Sequence, residues 1–171
     1  MDPASTGPQP AGVLRRLAAL VYDALILAAL LFVATFAWLP FTGGEALTPA
    51  SQGWIAQLYR ASMFAFAFGY YGLSWTRGGQ TLGMRAWRIR LERATGGTPG
   101  WLDALVRFTL GAALAVAAGA GLWYLRGPGW SLADGVAILL LLLPVANLAW
   151  VRFDREGRSL QDHASWTRVL R

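Results

Sequence analysis

A carboxylate lies inside a long apolar run near the start of this chain: Asp23, within RRLAALVYDALILAAL at residues 15–30. An aspartate at the centre of a membrane helix costs about 2.5–3.5 kcal/mol on insertion scales, which neighbouring leucine, isoleucine, valine and phenylalanine offset. Ionisable groups within a membrane usually face the interior of a helix bundle and pair there. Asp23 is therefore the first candidate for a functional site.

Three further polar residues are predicted to lie near Asp23. Arg16 precedes it by seven residues, or two helical turns, and so shares its helix face. At 1.5 Å per residue, Asp23 and Arg107 both lie about 9–10 Å from the same membrane boundary, and Asn147 lies at a similar level. The hypothesis is one buried polar layer in which Asp23 pairs with Arg107.

The remaining polar patterns do not form a recognisable catalytic site. Asp162 and His163 are adjacent, and adjacent residues on a helix point apart. Asp162 would be within reach of Arg16, Arg85 or Arg88 if the C-terminal segment folds back beneath the bundle. The stretch GGQTLG lacks the G-K-[ST] ending of a phosphate-binding loop and indicates a turn. With no cysteine and one histidine, the sequence predicts a protein that is not an enzyme and has no metal or cofactor.

The composition indicates an integral membrane protein. Of the 171 residues, 56% are hydrophobic and 14% are charged, and the mean hydropathy is +0.42. Soluble domains carry about 25% charged residues. The apolar residues form four blocks of roughly 20, which is the length of a membrane-spanning helix. The sequence therefore predicts an all-α, membrane-embedded four-helix bundle with spans at 17–39, 54–75, 104–125 and 133–151.

The arginines predict the orientation of these spans. The net charge is +6, and every basic residue is arginine. Most of them lie in three places: residues 15–16, 77–93 and 152–171. Basic residues accumulate on the cytoplasmic side, so both termini and the central loop should be cytoplasmic in a multi-pass protein of a bacterial inner membrane. This placement explains the charge without nucleic acid as a partner.

The segments outside the spans have distinct predicted roles. Residues 1–12 have the composition of a disordered tail, and residues 13–171 form one domain with a cytoplasmic tail at 152–171. In the loop at 76–103, the alternation in MRAWRIRLE predicts a short strand or an extended piece on the membrane surface. Arg88, Arg90 and Arg93 would there meet anionic headgroups, at about 1 kcal/mol per cation, or form a solvated face.

Small residues recur at four-residue spacing along the third span. Such stripes let helices approach closely in lipid. They are explained either by packing within the bundle or by self-association of the protein, and a separate membrane-protein partner is a further alternative. The two stripes are Gly111, Ala115 and Gly119, and Ala113, Ala117 and Gly121.

Four short motifs occur in order along the chain. An R-x-x-A-x-x-x-D element opens the first span, a G-x-T-x-G-x-R element follows the second, an arginine lies early in the third, and an L-x-D-x-x-x-x-T-x-V element closes the chain. The matching residues are Arg16, Ala19 and Asp23; Gly79, Thr81, Gly83 and Arg85; Arg107; and Leu160, Asp162, Thr167 and Val169.

With these motifs the chain resembles, from about residue 13 to 171, the RDD family of small bacterial membrane proteins. The family is named for one arginine and two aspartates. Two positions depart from its pattern: Gln161 stands where the family often has histidine, and Trp166 where it often has glycine. The resemblance implies a membrane domain of mostly unassigned molecular function, with ion or small-solute transport suggested for some members.

Two functions fit these observations. In the first, the protein is a non-catalytic membrane module for assembly, partner binding or lipid interaction, and its polar layer fixes the helix register. In the alternative it is a cation/proton antiporter or small-solute transporter that uses Asp23. Four helices without an evident inverted repeat count against the transporter.

Overall fold

The computed structural model describes residues 9–45, 47–48, 51–125 and 132–171. These residues form six α-helices and a two-stranded sheet. The helices are α1 (Val13–Phe36), α2 (Trp54–Gly78), α3 (Leu82–Ala86), α4 (Trp101–Tyr124), α5 (Leu132–Ala149) and α6 (Leu160–Ala164), and the strands are β1 (Arg90–Arg93) and β2 (Thr167–Leu170). Single 3-10 turns follow α1 at Leu39–Phe41 and α5 at Trp150–Arg152.

Three segments of the described chain are long and apolar enough to cross a membrane: Val13–Phe41, Trp101–Tyr124 and Asp134–Arg152. They correspond to the first, third and fourth predicted spans, which confirms a mostly helical protein with membrane-type helices. The second predicted span, 54–75, lies within the 25-residue helix α2. Its tyrosines, serines and glycines make α2 less apolar, and its crossing of the membrane stays a prediction.

The chain repeats one order of elements twice. Each half contains two long helices, a five-residue helix, a non-glycine residue with positive φ, and a four-residue strand. The left-handed residues are Arg88 (φ 53°) before β1 and Trp166 (φ 50°) before β2. Hydroxyl residues cap both short helices, since Thr81 opens α3 and Ser159 opens α6. The two halves are therefore equivalent in order, which was not predicted.

The sheet joins the two halves. β1 and β2 pair antiparallel, with Arg90 opposite Leu170 and Arg93 opposite Thr167. The short strand predicted from the alternation in MRAWRIRLE is confirmed. Its partner strand was not predicted, because the two strands lie at the ends of different halves and no local pattern connects them.

Residues 9–12 extend this sheet, so the predicted disordered tail is wrong for this part of the chain. Pro10 forms a bridge with Leu170, and the fully buried Ala11 donates its N–H to Val169 O at 2.9 Å. Composition describes an average over the segment and cannot show that Ala11 has a fixed place. Residues 1–8 lie outside the described residues.

We call residues 82–93 and 160–170, which hold α3, β1, α6 and β2, the cap. Buried apolar side chains concentrate where the cap meets the long helices: Ala11, Ala19, Trp75, Ile89, Leu91, Ala104, Phe108 and Val169. The long helices elsewhere expose large apolar side chains, such as Leu25 and Val33 on α1 and Leu139 on α5. In a soluble protein these side chains would be buried away from water. Their exposure here suits helices whose outer faces contact lipid.

Close packing of α4 on α5 uses one of the small residues. A Cβ at Gly121 would lie 2.7 Å from Ala137 O and 2.8 Å from Leu141 Cγ, so only glycine fits there without a shift. Packing within the protein therefore explains this end of its stripe. In the other stripe Ala115 is exposed and a Cβ at Gly119 would meet nothing within 4 Å, and self-association through that face stays a prediction.

Candidate functional site

Asp23, on the third turn of α1, is the first of two buried carboxylates that organise the structure. Its exposed fraction is 3%. Oδ1 accepts hydrogen bonds from Tyr70 Oη at 2.7 Å and from Gly83 N at 2.8 Å, and Oδ2 accepts one from Thr81 Oγ1 at 2.5 Å. All three donors are neutral. They belong to α2 and to the start of α3, so Asp23 connects α1 to both elements.

The contact with Asp23 requires glycine at position 83. A Cβ there would collide with the backbone oxygen of Ala19 and would lie 2.8 Å from both Cγ and Oδ1 of Asp23. Thr81 also has two roles, since its Oγ1 donates to Asp23 and accepts from Met84 N at 3.1 Å. Two members of the G-x-T-x-G-x-R element, Thr81 and Gly83, therefore form the binding partner of Asp23.

The other two members of that element lie apart from Asp23. Gly79 ends α2 in the left-handed conformation (φ 64°), and a Cβ there would lie 2.6 Å from Leu91 O. Its own carbonyl accepts from Leu91 N at 2.7 Å, which brings β1 against the end of α2. Arg85 is exposed, and its side chain makes no hydrogen bond or ion pair with the described residues. Gly79 thus positions the cap, whereas Arg85 lies on its surface.

Asp162, at the start of α6, is the second buried carboxylate and has an exposed fraction of 0%. Arg16 Nη1 donates to Oδ2 and Arg107 Nη1 donates to Oδ1, each at 2.5 Å. Oδ2 also accepts from Ser159 N at 2.9 Å, which closes a capping box at the start of α6. One carboxylate therefore joins α1, α4 and the cap.

The two arginines extend this network. Arg16 Nε donates to Ala11 O at 2.9 Å, which connects it to the segment that extends the sheet. Arg107 Nη1 also donates to Thr167 Oγ1 at 2.9 Å, and its guanidinium lies 5.7 Å from the centre of the Trp75 ring, within cation–π range. Arg16 Nη2 also donates to Gly157 O at 2.8 Å, so both buried guanidiniums are bound by several acceptors of the protein.

The charge of Asp162 is fixed by its neighbours. Burial disfavours the ionised form and raises the pKa, but the nearby guanidiniums of Arg107 and then Arg16 have the opposite effect. The outcome is a pKa lowered from 3.8 to about 2. Asp162 is therefore ionised at neutral pH, and its cluster with the two arginines carries one net positive charge.

The predicted pair between Asp23 and Arg107 is wrong, and with it the single polar layer. Asp23 binds neutral donors, whereas Arg107 binds Asp162. Asn147 Oδ1 accepts from the backbone N of Gln161 at 2.9 Å, which connects α5 to α6. Depth along a helix does not determine which neighbour a side chain faces. The cap, which was not part of the depth estimate, supplies partners to both charged groups.

The second half of the chain makes a similar contact between a polar side chain and a glycine. In this half the polar residue is on the short helix and the glycine is on the long helix, which is the reverse of the first half. In α3 the second residue is Gly83, which lies against Asp23 of α1. In α6 the second residue is Gln161, whose Nε2 donates to Arg107 O at 2.6 Å and would lie 2.9 Å from a Cβ at Gly111. A polar side chain thus meets a glycine in both halves. Gln161, at the position where the resemblance expects histidine, fills this contact.

His163 does not work together with Asp162. Its Nε2 lies 3.1 Å from Asp154 Oδ1, a carboxylate outside the network. The adjacent acid–base pair considered from the sequence is therefore not formed. Among the described residues, no group of three or more histidine and acidic side chains is placed to hold a metal ion.

The predicted lipid-facing arginines of the loop lie on the surface of the cap. Arg90 Nη2 lies 2.7 Å from Glu92 Oε1, and Arg93 Nε lies 2.5 Å from Asp103 Oδ2. Arg88 is exposed and has the left-handed conformation. Carboxylates therefore match two of these three charges, and contact between this face and anionic headgroups stays a prediction.

Ser159 and Tyr70, which donate hydrogen bonds to the two buried carboxylates, were not predicted as site residues. Ser159 and Asp162 have the S-x-x-D spacing of a capping box, and that signal could have identified the helix start. Tyr70 gave no comparable signal, because its hydroxyl is one of many aromatic features in α2. Its role follows only from the packing of α2 against α1.

Comparison with known proteins identifies the family but no individual relative. No curated protein and no solved structure matches the chain. A model of the RDD family matches residues 10–165, a range that holds Asp23, Asp162 and the two arginines that bind Asp162. The match covers most of the chain, through α6 but not β2. The chain therefore belongs to the RDD family, a family of small membrane proteins.

Proposed function

We propose that this protein is a non-catalytic membrane module for assembly, partner binding or lipid interaction, in which a buried ionic network fixes the cap to the long helices. This proposal rests on the hydrogen-bond donors that already fill the acceptor sites of the Asp162 carboxylate. An ionised carboxylate offers about four acceptor sites. Arg16, Arg107 and the N–H of Ser159 fill three of them. A carboxylate held in this way favours one arrangement of helices over the exchange of a ligand.

Asp23 supports the same proposal. Tyr70, Thr81 and the N–H of Gly83 fill three acceptor sites of its carboxylate, and Gly83 has no room for a side chain beside it. The two carboxylates therefore form complementary joints. Asp23 holds the first short helix to α1 and α2, and Asp162 holds the second to α1 and α4.

The proposal includes four membrane spans, with both termini and the cap on the cytoplasmic side of a bacterial inner membrane. α1 begins, and α5 ends, beside the cap elements, since Ala11 bonds to β2 and Asn147 bonds to the start of α6. The arginines of residues 15–16, 77–93 and 152–171 thus lie at one end of the bundle. Short loops and tails that are rich in basic residues tend to lie on the cytoplasmic side of the membrane.

This orientation can be tested by cysteine labelling, since the natural chain has no cysteine. We expect Glu45→Cys, between α1 and α2, to react with a membrane-impermeant maleimide in intact cells. Arg155→Cys, between α5 and α6, should react only after permeabilisation. Both positions are exposed, so burial does not limit either reaction. Labelling of Arg155→Cys in intact cells would contradict the proposed orientation.

A second candidate is a cation/proton antiporter that uses Asp23. The observation in its favour is that no arginine of the described residues pairs with Asp23, whose partners there are two hydroxyls and one N–H. Hydroxyl and carboxylate oxygens are also ligands for hard cations. A transporter would have to exchange these donors for an ion during each cycle.

Ion flux in liposomes separates the two candidates. We expect the purified protein to move no sodium, potassium or protons above the rate of protein-free liposomes under an imposed gradient, because both carboxylates are already bound within the protein. Asp23→Asn is the matched control. Flux by the natural protein that disappears in Asp23→Asn would establish the antiporter and refute the non-catalytic module.

A further inference from the structure

A groove of about 460 Å³ lies between the chain that enters α1 and the chain that leaves α5. Residues 10–15 form one wall. The other wall holds Val151, Arg152, Gly157 and Arg171. Neither buried carboxylate lines the groove, although two of its lining residues, Ala11 and Gly157, accept hydrogen bonds from Arg16 of the network.

Three arginines of this groove have unmatched charges. The side chains of Arg15, Arg152 and Arg171 make no hydrogen bond or ion pair with any residue that the structure describes. The loop arginines differ, since Arg90 and Arg93 each pair with a carboxylate. Three unmatched cations around one concave surface produce a positive potential that favours an anionic ligand.

The groove lies at the level where membrane helices leave the hydrocarbon. One candidate span begins at Val13, and another ends at Arg152; both residues line the groove. Phospholipid phosphates occupy this level of a bilayer. Leu14 also lines the groove and is 82% exposed. An apolar surface thus adjoins the cations, as the junction of headgroup and acyl chain requires.

We propose that this groove binds the phosphate of an anionic phospholipid through Arg15, Arg152 and Arg171, with the acyl chain beginning at Leu14. Basic pockets beside spans on the cytoplasmic side recognise lipid headgroups through this chemistry. A free phosphate shares the charge but not the apolar contact. The site deepens the proposed module function by naming a ligand. The two proposals fail separately. Ion flux would refute the module, whereas equal retention of phosphatidylglycerol and phosphatidylcholine by the natural protein would refute only the site.

Native mass spectrometry of the full chain in uncharged detergent tests this site. Titration with dioleoylphosphatidylglycerol should show retention of one lipid, with dioleoylphosphatidylcholine retained far more weakly. Replacing all three groove arginines (Arg15→Gln, Arg152→Gln and Arg171→Gln) should weaken phosphatidylglycerol retention roughly 100-fold, from the loss of three cations near the headgroup. Inorganic phosphate in excess should not displace the lipid.

The matched control is a second triple variant, Arg77→Gln, Arg85→Gln and Arg168→Gln, which changes the net charge equally outside the groove and keeps Arg88, Arg90 and Arg93. It should retain phosphatidylglycerol like the natural protein. Equal losses in both triple variants, no loss in the groove variant, or displacement by inorganic phosphate would each overturn the proposal. Arg152→Glu compared with Arg85→Glu gives a second measurement from single changes at exposed arginines, and only Arg152→Glu should weaken retention.

Discussion

Replacing Asp162 with asparagine is expected to lower the free energy of unfolding by about 3–5 kcal/mol, the cost of removing one partner from a buried ion pair. The substitution leaves the guanidiniums of Arg16 and Arg107 buried without an anion, while the shape of the side chain is kept. Reversible denaturation in mixed detergent micelles, followed by the fluorescence of the nine tryptophans, measures the change.

Glu92→Gln is the matched control for this prediction. Glu92 also contacts two arginines, Arg90 and Arg168, but these side chains are 54% and 37% exposed. We expect its loss to cost under about 1 kcal/mol, as for surface ion pairs. Equal effects of Asp162→Asn and Glu92→Gln would show that burial of the network does not stabilise the fold.

The stability difference between the natural protein and Asp162→Asn should depend on pH, because the pKa of Asp162 is lowered in the folded protein. The pKa of Asp162 in the folded protein, about 2, lies below its ordinary value of 3.8. Its contribution is therefore fully present above about pH 3.8 and is lost as the pH falls through about 2. The difference in unfolding free energy between the natural protein and Asp162→Asn should stay constant from neutral pH to about pH 4 and shrink below it.

Gly83→Ala is expected to lower the free energy of unfolding by about 1–3 kcal/mol through overpacking. The new methyl group would meet the backbone oxygen of Ala19, which cannot rotate away, and the carboxylate of Asp23. If α3 shifts and the N–H of Gly83 leaves Asp23, the unsatisfied buried group costs about 1–3 kcal/mol more. The same denaturation measurement reports the total.

Gly78→Ala is the control for a glycine in the same region. Gly78 is the last residue of α2, and a Cβ there would meet nothing within 4 Å. Alanine is the better helix former, so this change should be neutral or slightly stabilising. A neutral Gly83→Ala would mean that α3 does not pack against α1 as closely as the structure shows.

The long helices could be predicted from the sequence because hydropathy over about 20 residues reports the environment of a whole helix. The same reasoning placed the start of the first span at residue 17, whereas α1 begins at Val13. The difference arises because Arg15 and Arg16 are polar yet helical. β1 was also predictable, since alternation is a local signal, but its pairing with β2 depends on residues from the other half of the chain.

The partners of the charged residues could be predicted only in part. Arg16 was one of three arginines considered for Asp162, and it does bind Asp162. The partners of Asp23 were missed because they are neutral, and a search for a countercharge does not find hydroxyl and N–H donors. The deciding contact is made by Gly83, a residue with no side chain, and its importance is visible only once α3 lies against α1.

The separation of Arg16 from Asp162 affects how the protein is made. The two residues are 146 positions apart. At synthesis rates of about 5–20 residues per second, the carboxylate is added roughly 7–30 s after the arginine. Both arginines of the network therefore enter the nascent protein well before their anion exists. Closure of the cap therefore waits for α6 and β2, which follow all of the long helices in the chain. A polypeptide stopped before α6 would contain both arginines of the network but not the carboxylate that pairs with them.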